Sequence, residues 1–219
     1  MTYYRIPDGP CATEIVFEMI GKKWKASILH VCSISPASFA SVKTSLPDIA
    51  EGTLVKQINS LISEGLIAKT IAQNKSLYSI TSKGKDIMPI LVQLHHWILQ
   101  CYPSVSADQC SVELANETIG CKWVTRILFL LEHVGTMRFN ELQRSIEGIT
   151  HKVLTEQLKK LETMNLILRK DFTGKIPHVE YTLTEVGMEA AHITDAISIW
   201  CRKYHLISID ATVSDLITD

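Results

Sequence analysis

Between Ile149 and Leu161 apolar and polar residues alternate with the period of a helix. Leu154, Leu158 and Leu161 fall at i, i+4 and i+7, while His151, Lys152, Thr155, Glu156, Lys159 and Lys160 take the opposite side. Thr150 stands where a hydroxyl caps the first turn. Alone, such a stretch is any amphipathic surface helix. Its surroundings give it a more specific meaning.

The pattern recurs earlier in the chain. Cys11-Ala-Thr-Glu and Ile20-Gly-Lys-Lys-Trp24 match Cys110-Ser-Val-Glu and Ile119-Gly-Cys-Lys-Trp123, with both Cys-to-Trp spacings equal to 13. After one extra residue in the second copy, Phe39, Leu46, Ile49, Leu54, Gln57, Leu61 and Leu66-Ile67 match Phe139, Ile146, Ile149, Leu154, Gln157, Leu161 and Leu166-Ile167 at an offset of 100. Three more residues enter before Tyr78 meets Tyr181, and Trp97 then meets Trp200 at an offset of 103. Two long units make a duplication and not a solenoid, which needs at least about three short ones.

Within the first copy the periodicity predicts helices over Cys11 to Ile20, Trp24 to Cys32, Phe39 to Ser45 and Thr53 to Glu64. Strands follow over Ile67 to Ile71 and Leu77 to Thr81, then a closing helix over Lys83 to Gln100. The second copy repeats the order. Turn-rich segments, Gln73-Asn74-Lys75 and Thr173 to His178, join the strands. The expected division is a first domain over 1–103, a linker over 104–109, a second domain over 110–205 and a tail over 206–219. Leu206, Ile207, Ile209, Val213 and Leu216 suggest that the tail packs.

Composition limits what such domains can do. Of 219 residues 46% are hydrophobic, enough for well-packed cores. No apolar run reaches the roughly 18 residues of a membrane span and the start lacks a signal-peptide core, so no membrane partner and a cytoplasmic location are expected. Six dispersed cysteines, none in a Cys-x-x-Cys pair, point to reduced thiols and to no structural metal. Residues 1–105 carry 10 basic and 7 acidic side chains (+3) and residues 106–219 carry 12 and 16 (−4), summing to −1. Any affinity for nucleic acid must therefore rest on local placement of cations. There is no Gly-rich phosphate loop, nucleophile motif or metal-ligand cluster, so neither an enzyme nor a cofactor is expected.

Helix, short helix, basic amphipathic helix and hairpin is the order of a winged helix-turn-helix, whose last helix enters the major groove while the hairpin touches flanking backbone. A plain α+β domain of the same order remains an alternative. The fold class expected is mainly α with small β-hairpins, in two tandem homologous domains.

The Cys before Glu, Ile-Gly-x-Lys-Trp, Arg138-Phe-Asn-Glu-Leu, Gly148 to Leu158, and His178-Val-Glu-Tyr-Thr-Leu-Thr-Glu-x-Gly187 together resemble the HxlR-type winged-helix transcriptional regulators of bacteria. The resemblance runs from Cys11 to about Tyr102 and from Cys110 to about Tyr204. It implies a regulator, most simply a repressor, that binds double-stranded DNA. Such regulators are generally homodimers paired through their terminal helices. Here two fused copies imply an intrachain pseudo-dimer, with a homodimer of the fused chain as a further partner.

Phosphate contacts position a DNA reader and base-edge contacts specify sequence. In the second copy Thr150, His151, Lys152, Thr155, Gln157 and Lys159 supply donors on or beside the helix. Arg138 and Arg144 precede it, and Lys170, Lys175 and His178 belong to the wing. In the first copy Lys43, Thr53, Lys56, Gln57 and Lys75 remain, but Ala50-Glu51-Gly52 replaces Thr150-His151-Lys152, removing a cap and a cation. The first domain is expected to be the weaker reader.

The closing helices carry Leu91, Leu94, Trp97 and Ile98, and Ile193, Ile197, Ile199 and Trp200, stripes suited both to their own cores and to a dimer seam. Cys11 and Cys110 stand where some members of the resembled family sense oxidants or electrophiles, with Cys101 and Cys201 as candidate partners. Cys32 and Cys121 look structural, and buried cysteine acting as a small hydrophobe is the alternative throughout. His95 and His96, adjacent on a helix, diverge by about 100° and make a poor metal pair. A winged-helix adaptor that binds protein instead of DNA is the competing function.

Overall fold

The computed structural model describes residues 3–4, 6, 9, 11–72, 74–103, 110–173, 177–207 and 217–218. After β1 (Tyr3–Tyr4), the first copy runs α1 (Ala12–Ile20), α2 (Lys25–Ile34), β2 (Ala37–Ser38), α3 (Phe39–Ser45), α4 (Glu51–Ser63), β3 (Ile67–Ala72), β4 (Lys75–Ile80) and α5 (Ser82–Cys101). The second runs α6 (Ser111–Ile119), α7 (Lys122–Val134), β5 (Met137–Arg138), α8 (Phe139–Ser145), α9 (His151–Thr163), β6 (Ile167–Phe172), β7 (His178–Leu183) and α10 (Glu185–Lys203), and β8 (Ile217–Thr218) follows. Residues 104–109, the expected linker, lie outside the described residues.

Each hairpin gains a third strand that alternation does not reveal, because β2 and β5 are only two residues long. The antiparallel orders are β2-β4-β3 and β5-β7-β6, with Ala37 opposite Tyr78 and Met137 opposite Tyr181. Each short strand leads directly into α3 or α8, so the sheet fixes where the helix-turn-helix begins. The helices pack on one continuous core in which Leu54, Leu61, Leu154 and Leu161 are fully buried.

Thr81 and Thr184 cap the closing helices by accepting from the N–H groups of Gly84 and Gly187. Those glycines admit no side chain, since an added Cβ would collide with the carbonyl of Leu66 or Leu166 at the start of β3 or β6. This explains the repeated Thr-x-x-Gly.

The copies are tied by reciprocal bonds. Trp97 Nε1 donates to the Val186 carbonyl at 2.9 Å, and Trp200 Nε1 donates to the Lys83 carbonyl at 3.2 Å. Lys23 N–H meets Glu113 Oε1 at 2.8 Å and Lys122 N–H meets Glu14 Oε1 at 3.3 Å. These four residue pairs are equivalent positions of the duplication, so α5 and α10 pair as a pseudo-two-fold.

Two features break that symmetry. Lys25, at the position of Val124, is buried and bonds Glu64 Oε1 at 2.8 Å and the Met19 carbonyl. Beside it Trp24 has φ +80, left-handed and strained by about 1 kcal/mol, and α2 starts two aligned positions later than α7. On one side of the seam Asp86 accepts from Lys203 Nζ at 2.6 Å and from Tyr204 Oη at 2.5 Å, and these bonds hold its carboxyl below the usual range. That contribution is present above the ordinary carboxylate pKa and lost as pH falls through the lowered one.

At the chain start Ile6 forms a parallel bridge with Ile146, its N–H donating to Ser145 O at 2.7 Å and its carbonyl accepting from Glu147 N–H at 3.1 Å. Ile6 thus lies against the second copy. Of the tail, Leu206 and Ile207 pack against the core and β8 pairs with β1, while Ile209, Val213 and Leu216 lie outside the described residues. No helix among the described residues is long and apolar enough to cross a membrane. Packing also joins positions far apart in sequence, bringing ligand atoms of Glu132, His133 and Asp195 within 4.8 Å of one another.

Trp97→Phe and Trp200→Phe should each lower stability by about 1–2 kcal/mol in denaturant melts, having lost a buried donor bond. Gly187→Ala should cost about 2 kcal/mol or more, since backbone and not a flexible side chain must yield. A neutral Gly187→Ala would contradict the close approach.

Candidate nucleic-acid interface

The helix-turn-helix of the second copy is α8, the turn 146–150 and α9. Thr150 Oγ1 accepts from Val153 N–H at 3.3 Å, the expected cap. Leu154, Leu158 and Leu161 are buried, and His151, Lys152, Thr155, Glu156 and Lys159 are exposed together on the outward face. The His151 ring packs on Phe139, centroids 4.7 Å apart, and the Thr155 hydroxyl donates to the His151 carbonyl at 2.8 Å, with His151 Nδ1 3.5 Å from the same hydroxyl oxygen. Lys152 is 86% exposed and 4.0 Å from Glu156, a loose i,i+4 pair that does not hold the ammonium back from a phosphate.

At the wing Lys170 is exposed above the Phe172 ring, and His178 stacks on the same ring at 4.6 Å and 4°. Lys175 lies outside the described residues. Glu180 changes the local charge, for its Oε1 lies 3.1 Å from His178 Nε2 and 3.5 Å from Arg138 Nε. Arg138 and His178, expected as phosphate ligands, therefore share one carboxylate, and their net attraction for phosphate is reduced. Arg144 is exposed, its Nε donating to the Asn140 carbonyl at 3.1 Å. Lys160 points to α6, where it donates to the Glu117 carbonyl, and not outward as the helical pattern suggested.

Several expectations in the two copies are corrected. Gln57 is buried at 9% exposure, and Gln157 is half-buried with its Oε1 enclosed and accepting no bond among the described residues. Both stand three residues after a core leucine, so the period turns them inward. Lys43 Nζ donates to the Pro47 and Ile49 carbonyls at 2.7 and 2.6 Å, bracing the turn between α3 and α4. Ile6 bonds the corresponding turn of the second copy, where Gln143 replaces Lys43. Thr53 is half-buried, while Lys56 and Lys75 are exposed.

The outward face of α4 holds Glu51, Gly52, Val55, Lys56 and Asn59, all exposed, with formal charge −1 + 1 = 0. The same five positions of α9 sum to +1 − 1 + 1 = +1, with a titratable histidine besides. Ala50 provides no side-chain cap for α4.

A capped outward helix behind a tight turn, with a three-stranded wing beside it, defines a winged helix-turn-helix DNA-binding protein. The model of the HxlR-like helix-turn-helix family matches residues 19–105 and again 118–207, and the chain belongs to that family, carrying its domain twice. Similar relatives are a regulatory protein named MalR from Fusobacterium mortiferum, 42% identical over 43% of this chain and 90% of that protein, and the HTH-type transcriptional regulator YdzF of Bacillus subtilis, 39% identical over 43% and 86%. Solved structures similar to it include a MarR-family transcriptional regulator from Enterococcus faecalis V583 (34% identity, TM-score 0.42, 47% of this chain and 93% of that one). The oxidized form of the redox regulator HypR is another (37%, TM-score 0.39, 43% and 96%). The chain is a DNA-binding transcriptional regulator.

Of the cysteines, Cys11, Cys32 and Cys201 are buried and Cys101, Cys110 and Cys121 are half-buried. Cys11 Sγ is 2.9 Å from Thr13 Oγ1, which in turn lies 2.8 Å from Thr125 Oγ1 across the seam. Burial pushes the thiols of Cys101 and Cys201 up to about 11, so neither is a thiolate at neutral pH. In the native protein a thiol reagent should label Cys110 and Cys121 before Cys11, Cys32 and Cys201. Early labelling of Cys201, read by peptide mass, would contradict this placement.

Proposed function

We propose that one chain binds duplex DNA as a pseudo-dimer, with α9 and the β6–β7 wing as the principal reader and α4 as a weaker contact. The observation that carries this reading is the contrast between the two outward faces. α9 begins on a hydroxyl cap and presents Lys152 and Lys159, whereas α4 begins uncapped with Glu51 and presents a face of zero charge. Thr150, His151, Lys152, Thr155 and Lys159 take the major groove, and Arg144 and Lys170 the flanking phosphates.

The uncharged α4 face, with Val55 46% exposed at its centre, favours a second role for the first domain, namely pairing with a protein surface. A response to oxidants, if the regulator has one, rests on Cys11 and Cys110. Cys101 and Cys201 are protonated and enter only as resolving thiols.

Fluorescence anisotropy on DNA from its own upstream region, repeated across a salt series, tests the reading. Lys152→Ala and Lys159→Ala should each weaken binding and lower the salt slope by about 1, and Lys56→Ala should do less. Equal losses at all three would remove the asymmetry, and salt-insensitive weak binding would favour the protein-binding role. Sedimentation should show the DNA-bound species as one 24.6 kDa chain per duplex. An obligatory pair of chains would replace the pseudo-dimer by a true one. Diamide-driven release of DNA that survives Cys11→Ser and Cys110→Ser would remove these two cysteines as the sensing thiols.

A further inference from the structure

α7 and α10 meet in the second copy at a group of side chains that DNA reading does not use. Glu132 and His133 end α7, and His192 and Asp195 stand at i and i+3 on α10, hence on one face. Ligand atoms of Glu132, His133 and Asp195 all lie within 4.8 Å of one another, and His192 Nε2 is 3.3 Å from Glu132 Oε1. Glu132 is 14% exposed, and its Oε2 is enclosed without a hydrogen-bond donor among the described residues, with His133 Nδ1 3.8 Å away. Neither carboxylate has a lysine or arginine in ion-pair contact among the described residues. Burial pushes both carboxyls above their usual range; at Glu132 the charge of Asp195 adds to this, while His133 and His192 oppose it at both groups and Arg202 opposes it at Asp195.

We propose that Glu132, His133, His192 and Asp195 bind one divalent transition-metal ion between α7 and α10. Two imidazoles and two carboxylates suit zinc, manganese or nickel, and with no thiolate they do not suit copper(I). Ligand atoms of a tetrahedral site with bonds of about 2.0–2.2 Å lie closer together than 4.8 Å, so the group closes slightly on an ion. His133 Nδ1, now 3.0 Å from the Phe129 carbonyl, gives up that bond if it is the ligating nitrogen. The first copy is an internal control. Its equivalent positions are Ser33, Ile34, Pro89 and Val92, which offer no such donor set, so the chain binds one ion and not two. The ion cross-links the closing helix of the pseudo-dimer seam to α7, which packs against α9.

Calorimetric titration of the chelator-treated full chain with Zn²⁺, Mn²⁺ and Co²⁺ tests this, with the visible spectrum of the Co²⁺ form as a second readout. Expected are one ion per chain, a higher melting midpoint, and a Co²⁺ spectrum without sulfur charge-transfer bands. His192→Gln and Asp195→Asn should each weaken binding by about tenfold or more. Because His192 is 65% exposed, its variant keeps the fold, and a circular-dichroism melt of the metal-free form verifies this. No saturable binding of any of the three ions, two ions per chain, binding unchanged in both variants, or sulfur bands from the cysteines would each overturn the site.

Discussion

The structure depends on two indole N–H groups that must find acceptors inside an apolar seam. Trp97 and Trp200 are 1% and 3% exposed, so each donor is lost to water and bonds a carbonyl in the first turn of the opposing closing helix. On its own helix each indole lies 14 residues beyond the position that accepts the other, about 21 Å at the helical rise. Reciprocal bonds over that length fix α5 and α10 antiparallel in one register. The two helix-turn-helix units, each followed by a closing helix capped through Thr-x-x-Gly, inherit that geometry.

Much of this is legible in the chain because periodicity and punctuation report burial. Leu154, Leu158 and Leu161, the Thr150 cap and the paired tryptophans could all be read, and α4 starts two residues earlier and ends one residue earlier than expected. What escaped depends on distances that spacing does not encode. Two-residue strands are too short to show a period. Lys43 looks like a DNA cation until the turn carbonyls it bonds are in place, and Glu180 looks neutral to the wing until it is found between Arg138 and His178. Lys25 reads as a surface charge, yet its pairing with Glu64 takes it inside. Glu132 and Asp195 stand more than sixty residues apart in sequence, on two different helices.

The copies have kept their interiors and diverged outside. The leucines of α4 and α9 are equally buried, while Thr150-His151-Lys152 has become Ala50-Glu51-Gly52. Losing the cap and adding a glycine in the first turn costs up to about 1 kcal/mol each, a loss the shared core absorbs. In a homodimer such a change would strike both readers at once. Covalent duplication restricts it to one.

The strap at Ile6 adds a consequence of its own. It belongs to the start of the chain yet bonds the turn before α9, so the helix-turn-helix with the more cationic outward face is also the one braced by a second segment of backbone. A symmetric regulator can sit on its site in two equivalent ways and cannot distinguish left from right. On the proposed reading, one braced, charged head and one neutral head joined in fixed register would give this protein a direction along the duplex, and reversing its site would present a different molecule to whatever is bound next door.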